Sequence, residues 1–201
     1  MNFPRAFEVL LCFFASCSGF NLLRRESCVE SFKRGQIVLL YLVRHGIAVD
    51  RSDPKSPPEA ERPLTAKGIQ KTRAAALGFS DLVAKPDIWI TSPYVRAVQT
   101  AEIFAEALGF SPDKIRVSEA LKPAANPAEI VKEVLRLRAK EVACFGHAPH
   151  LDLTIAHLSG ARSVFTELKK AGAVCFEHTA PHGRWNLRWL LAAKTLRDIA
   201  D

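Results

Sequence analysis

A three-layer α/β/α sandwich around a mainly parallel central sheet is the fold this sequence predicts, and three observations predict it. Apolar, β-branched runs over 37–44, 87–91 and 141–145 read as buried strands. They alternate with helical patterns of roughly 10 to 17 residues, the signature of strands joined by crossover helices that cover a sheet on both faces. Each run then stops at a polar turn: Arg44-His45-Gly46, Ser92-Pro93 and Gly146-His147. In open α/β sheets the carboxyl edge of the strands is where ligands bind.

Taken in order, the first 36 residues read as an extension without a fold of its own, with Val38 a candidate true start and 37–201 the domain. Phe14-Ala15-Ser16-Cys17 loosely resembles a lipoprotein cleavage box. Against a signal, Glu8 lies where a leader is positive, and the apolar run over 9–15 is about half a membrane span. After the first strand, 47–62 holds four prolines and many charges and reads as a long loop over the strand edge. Thr65 is the expected N-cap of a helix over 66–82, with Ile69, Ala76, Leu77 and Leu82 as its inward stripe.

The second strand leads into a helix over 95–108, closed by Gly109. Arg96 stands in the first turn of that helix, where the dipole is already positive, so a cation there calls for an anion beside it. A short strand over 115–118 and a loop over 119–123 follow. Asn126-Pro127-Ala128-Glu129 then starts a helix with an N-cap, a proline at the first position and a glutamate placed for a capping box. Beyond Gly146-His147-Ala148-Pro149-His150 comes a helix to Leu158, then strands over 173–177 and 185–191 around a turn at Pro181-His182-Gly183, and a closing helix.

At 201 residues the chain is long enough for one domain with a full core. Its formal charge of +7 and pI near 9.3 favour anionic partners. The basic residues are scattered with few aromatics between them, which argues against a dedicated nucleic-acid binder, and no stretch reads as a membrane span. Five cysteines follow no metal or disulfide spacing, and Cys144 and Cys175 lie in apolar runs, so the cytoplasm is the expected compartment.

Arg44, His45, Arg96 and His147 therefore lie beyond the ends of three strands on one sheet edge. Two guanidinium forks matched to phosphate oxygens, with histidines beside them, make a site for a phosphoryl group. At this point Leu42-Val43-Arg44-His45-Gly46 resembles the signature of the histidine phosphatase superfamily, the phosphoglycerate-mutase-like proteins. The likeness continues in order through Arg62-Pro63-Leu64-Thr65-Ala66-Lys67-Gly68, Ser92-Pro93-Tyr94-Val95-Arg96-Ala97-Val98-Gln99-Thr100-Ala101 and Gly146-His147. The compact length, the short Leu121-Lys122-Pro123 loop and Glu167-Leu168-Lys169-Lys170-Ala171-Gly172-Ala173 most resemble the SixA-type phosphohistidine phosphatases. There is little room for a lid, so a shallow, open pocket is expected.

The resemblance implies a phosphatase in which His45 takes the phosphoryl group as a covalent phosphohistidine. Arg44, Arg96 and His147 then stabilise its oxygens, Ser92 is a further candidate in the substrate site, and no metal or cofactor takes part. The general acid is less defined: Ala148 follows His147, so the arrangement with an aspartate there is absent, and Glu119 is the candidate, with Asp50 and Asp152 behind it. A leaving imidazole needs less acid help than an alkoxide, which suits the P–N bond of a phosphohistidine protein. The alternatives are a small-molecule phosphomonoesterase of the same fold and a phospho-ligand binding module without turnover. Lys55, His150 and Lys169 are the expected rim residues, His150 rather than a zinc site accounting for the second histidine of the 147/150 pair.

Overall fold

Strand β1 (Ile37–Arg44) sits inside a six-stranded sheet of order β3-β2-β4-β1-β5-β6. In the computed structural model, residues 37–179 and 183–200 are described. The extension over 1–36, the hairpin tip, Cys12, Cys17 and Cys28 lie outside them. Side chains of a strand alternate between its faces, and β1 divides its residues accordingly. Tyr41 and Val43 join a core with Phe79, Trp89, Phe104, Phe145 and Leu196, whereas Val38, Leu40 and Leu42 join the opposite one with Ile90, Ile130, Leu151, Ile155 and Phe176. Helices α1 (Ala66–Leu82), α2 (Val95–Ala107) and α5 (Ala193–Ala200) contribute to the first core, α3 (Pro127–Arg136) and α4 (His150–Leu158) to the second. The predicted three-layer sandwich is present.

Strands β2 (Ile88–Thr91), β3 (Arg116–Val117) and β4 (Glu141–Gly146) run parallel with β1. β5 (Ala173–Thr179) runs antiparallel to β1 and is paired with β6 (Arg184–Leu191) in the expected late hairpin. That reversal has a consequence for the site. Because Ala173 pairs with Val43, the segment leading into β5 arrives at the edge where β1 ends.

The caps follow the sequence. Thr65 Oγ1 accepts from Gly68 N–H at 2.9 Å, and Asn126 Oδ1 accepts from Ala128 N–H at 3.0 Å, while Glu129 turns to Lys132. The inward face of α1 holds Ile69 and Ala76 as expected but not the two leucines. Leu77 is 53% exposed and Leu82 44%, and the buried residues are Gly68, Thr72, Ala75, Ala76, Gly78 and Phe79. The reason is close helix packing: a Cβ at Gly78 would lie 1.7 Å from the Leu196 carbonyl oxygen, so α5 approaches over small residues and the leucines turn outward. Phe79 anchors this layer with edge-on contacts to Tyr41, Phe104 and Trp189, and its loss to alanine would cost about 3–5 kcal/mol. Cys144 and Cys175 are buried free thiols, as read. No helix among the described residues is long and apolar enough to cross a membrane.

Candidate active site

The parallel registers align the carboxyl ends of three strands. Arg44 of β1 pairs with Gly146 of β4, and Thr91 of β2 pairs with Phe145 of β4. Two further backbone bonds extend the ladder past the strands, from His45 N–H to Gly146 O (3.0 Å) and from Ser92 N–H to Phe145 O (2.9 Å). His45, Ser92 and His147 thus leave neighbouring strand ends, and the two imidazole centroids stand 5.0 Å apart. The turn at Gly46 is tight, since a Cβ there would lie 2.3 Å from Thr72 Oγ1.

His45 is 8% exposed. Its Nδ1–H donates to the Gly46 carbonyl at 2.7 Å; a carbonyl only accepts, so this bond places the proton on Nδ1. Nε2 keeps its lone pair and accepts from Arg96 Nε–H at 3.3 Å. Burial, reinforced by the charges of Arg96, Arg44 and Lys170, pushes the imidazole pKa down to about 3, against the upward pull of the Gly46 carbonyl. The ring is neutral across the ordinary pH range.

His147 is buried next to it, and its Nε2 lies 2.8 Å from Ser92 Oγ. Ser92 Oγ accepts from Tyr94 N–H at 3.4 Å, so its own hydroxyl proton can go to His147 Nε2. Nδ1 then carries the ring proton, and that buried nitrogen has no partner in the protein. A buried donor left without an acceptor is costly unless a ligand satisfies it. Burial, and then the neighbouring His45, push the His147 pKa down to about 2.

Arg96 is 3% exposed in the first turn of α2, where an anion was called for. The anion is Glu59. Arg96 Nη1 donates to the Glu59 carbonyl at 2.6 Å and Nη2 to its carboxylate at 2.8 Å. Arg62 grips the same carboxylate through Nε (3.0 Å) and Nη2 (2.7 Å), and donates to Val49 O at 2.5 Å. The hydrogen bond from Arg62, with the charges of Arg96 and Arg51, holds the Glu59 carboxyl below the usual range. Loop 47–62 is therefore bound down over Arg96, and with both histidines nearly covered the site is more enclosed than the expected open pocket.

Arg44 turns the other way. Its Nη1 donates to Leu168 O at 2.7 Å and lies 3.4 Å from Glu167 Oε1, while its buried Nε has no partner. The Leu168 amide is held by Asp152 Oδ1 at 2.8 Å, and Ala171 N–H donates to the carbonyls of Arg44 and His45. Asp152 is thus a buried anchor for the segment before β5.

Of the remaining sequence candidates, Glu119 opens a 3₁₀ turn just past β3, beside β2, at the same sheet edge. Its side chain is 73% exposed and pairs with Lys122 rather than with the two histidines or the two arginines. Asp50 is exposed and bonds to Ser52, and Lys55 is exposed on the loop. Lys169 is exposed and paired with Glu167. His150 is a correction: it is fully buried as the first residue of α4, with neither ring nitrogen partnered, so it is not a rim residue.

Sequence reasoning missed Glu59 and the grip of Arg62. A signal existed, since the anion demanded by Arg96 could be sought among the carboxylates of the adjacent proline-rich loop.

A family profile, histidine phosphatase superfamily (branch 1), matches residues 40–125. An uncharacterized protein of Picosynechococcus sp. is 36% identical over 140 residues, 67% of this chain and 82% of that protein. The chain belongs to the histidine phosphatase superfamily, branch 1. Solved structures share the fold of this superfamily member. The protein histidine phosphatase SixA complexed with tungstate superimposes with a TM-score of 0.70 at 19% identity, covering 79% of this chain and 99% of that one. A phosphoserine phosphatase mutant from Entamoeba histolytica, in complex with phosphoserine, gives 0.62 at 17% identity, over 78% and 98%.

Proposed function

We propose that this histidine phosphatase hydrolyses phosphohistidine on a protein, with His45 as nucleophile. The carrying observation is the His45 ring itself: Nδ1–H is fixed on the Gly46 carbonyl, and an unprotonated Nε2 is presented to Arg96. That lone pair attacks phosphorus in line with the leaving nitrogen. The N–P bond to His45 forms as the substrate's N–P bond breaks, and the departing imidazole takes a proton from water. Water oxygen then attacks phosphorus as the His45 N–P bond breaks, its proton going to the hydroxide left by the first step, so that inorganic phosphate leaves and the Nε2 lone pair is regenerated. Arg96 Nε, Arg44 Nε and His147 Nδ1–H are the donors available to the equatorial oxygens, and two of these three are buried without a protein partner. Ser92 acts on the substrate through the His147 tautomer.

Two carboxylates bear on the choice of bond. Glu59 is held ionised by arginines and has no proton to give, and Glu119 faces solvent. A site without a poised acid suits a nitrogen leaving group better than an alkoxide, because general acid help is worth roughly a hundred- to ten-thousandfold to the latter. The second reading, a phosphomonoesterase, draws on the position of Glu119 at the same sheet edge. The free buried thiols Cys144 and Cys175 support a cytoplasmic setting.

The test is brief incubation with labelled phosphoramidate, followed by a search for an acid-labile, base-stable adduct. Wild type should carry it and His45→Ala should not; equal labelling of both would end the mechanism. Turnover of sugar phosphates far faster than of phosphohistidine would favour the second reading.

A further inference from the structure

A cavity of about 370 Å³ opens on the other side of Arg44, between α1, α5 and the segment before β5. Its charge is one-sided. Arg44, Lys71, Lys169, Lys170 and Arg197 line it against a single carboxylate, Glu167, which is already engaged by Lys169 at 2.5 Å and by Arg44 at 3.4 Å. Among the described residues, Lys71, Lys170 and Arg197 form no ion pair. Cations gathered round one cavity without counter-charge repel one another and concentrate anions.

An unsatisfied polar group lies at its edge. Thr72, fully buried on α1, borders the cavity, and its hydroxyl, close against Gly46, has no hydrogen-bond partner. Buried donors of this kind are normally satisfied. Ile47 and Ala193 add an apolar wall.

We infer that this cavity is a second anion subsite that takes a carboxylate side chain of the phosphorylated protein substrate, adjacent to the phosphoryl group on His45. The inference rests on the proposed phosphatase reading for the identity of the substrate. Arg44 borders both sites, so an occupant stands next to the reacting group. The apolar wall fits an aliphatic stem, and lysines on flexible stems meet a carboxylate from several directions, whereas phosphate favours the rigid forks of arginine. The subsite selects phosphohistidine proteins whose phosphorylated residue has an acidic neighbour.

The experiment compares wild type with Lys71→Gln/Arg197→Gln on three substrates: phosphoramidate, a phosphohistidine peptide with acidic neighbours, and the same peptide with those residues replaced by glutamine. The expected result is unchanged phosphoramidate turnover and unchanged KM for the neutral peptide. For the acidic peptide KM should rise about ten- to a hundredfold in the variant, as expected for lost charge-assisted contacts. Equal KM for both peptides on wild type, or an acidic-peptide KM untouched by the substitutions, overturns the subsite. A change confined to inhibition by inorganic phosphate, with both peptides alike, assigns the cavity to a free anion and also overturns it. Calorimetric binding of the two peptides to His45→Ala, with and without the double substitution, decides the subsite without turnover. A protein that binds the acidic peptide through these cations but hydrolyses none of the three substrates keeps the subsite and fails the phosphatase reading.

Discussion

Loop 47–62 and the turn after β3 each bring a glutamate to the carboxyl edge of the sheet, and they hold it in opposite ways. Glu59 lies between Arg62 and Arg96, ionised, one residue removed from His45 through the Arg96 Nε bond. Glu119 stands in solvent with Lys122 for company. Contact with Arg96 and readiness to give a proton are therefore separate properties. The carboxylate that touches Arg96 is held in its charged form by the guanidinium groups around it, because an opposite charge at hydrogen-bond distance favours ionisation. In the proposed reaction Glu59 is a positioning residue: its bonds to Arg96 leave Nε facing His45.

This contrast can be broken or sharpened by substitution. The largest effect is expected from His45→Ala, with phosphoramidate turnover falling by more than about 10⁴-fold and no labelled adduct, since a covalent nucleophile has no substitute. Arg96→Lys follows, at about 10²–10³-fold in kcat, because a single ammonium cannot serve Glu59 and the phosphoryl oxygens together. Glu59→Gln should cost about tenfold, equally on P–N and P–O substrates and mainly in kcat, with Glu59→Asp partly restoring it; a loss confined to P–O substrates would make Glu59 an acid and collapse the contrast with Glu119. Glu119→Gln is expected to leave phosphoramidate turnover within about twofold, and a hundredfold or greater loss on a phosphate ester would instead identify it as the general acid.

The smallest effect concerns stability. Both imidazoles have folded pKa values well below their ordinary 6.5, so the unfolded chain binds protons that the folded chain does not. The stability they leave intact is fully present above pH 6.5 and is lost as pH falls from there towards 3. The melting temperature of the free protein should therefore drop over that interval, and His147→Asn should make the drop shallower. An unchanged slope would mean that other groups carry it.

The order of elements was legible in the sequence because each signal is local. Thr65 and Asn126 cap their helices from within a few residues, and the abrupt ends of three apolar runs mark strand termini whatever surrounds them. Leu77 and Leu82 of the α1 stripe were misread for the opposite reason: periodicity identifies an apolar face, whereas the close approach of α5 over Gly78 decided how far that face is buried. His150 was placed on the rim by its nearness to His147 in sequence, but the first turn of α4 carries it inward.

By itself, then, the sequence determined the three-layer class, the three blocks that carry Arg44, His45, Arg96 and His147, and their common sheet edge. These follow from strand periodicity and from where each apolar run stops. Only the tertiary structure decided the partners: the Gly46 carbonyl that sets the His45 tautomer, Ser92 on His147, Glu59 between two arginines, and the cationic cavity beyond Arg44. The Glu59–Arg96, Ser92–His147 and cavity contacts join residues far apart in the chain. The Gly46 bond depends on ring orientation, which sequence spacing does not encode, and the antiparallel entry of β5 beside β1 is a choice of topology that brings residues 167–171 to the site.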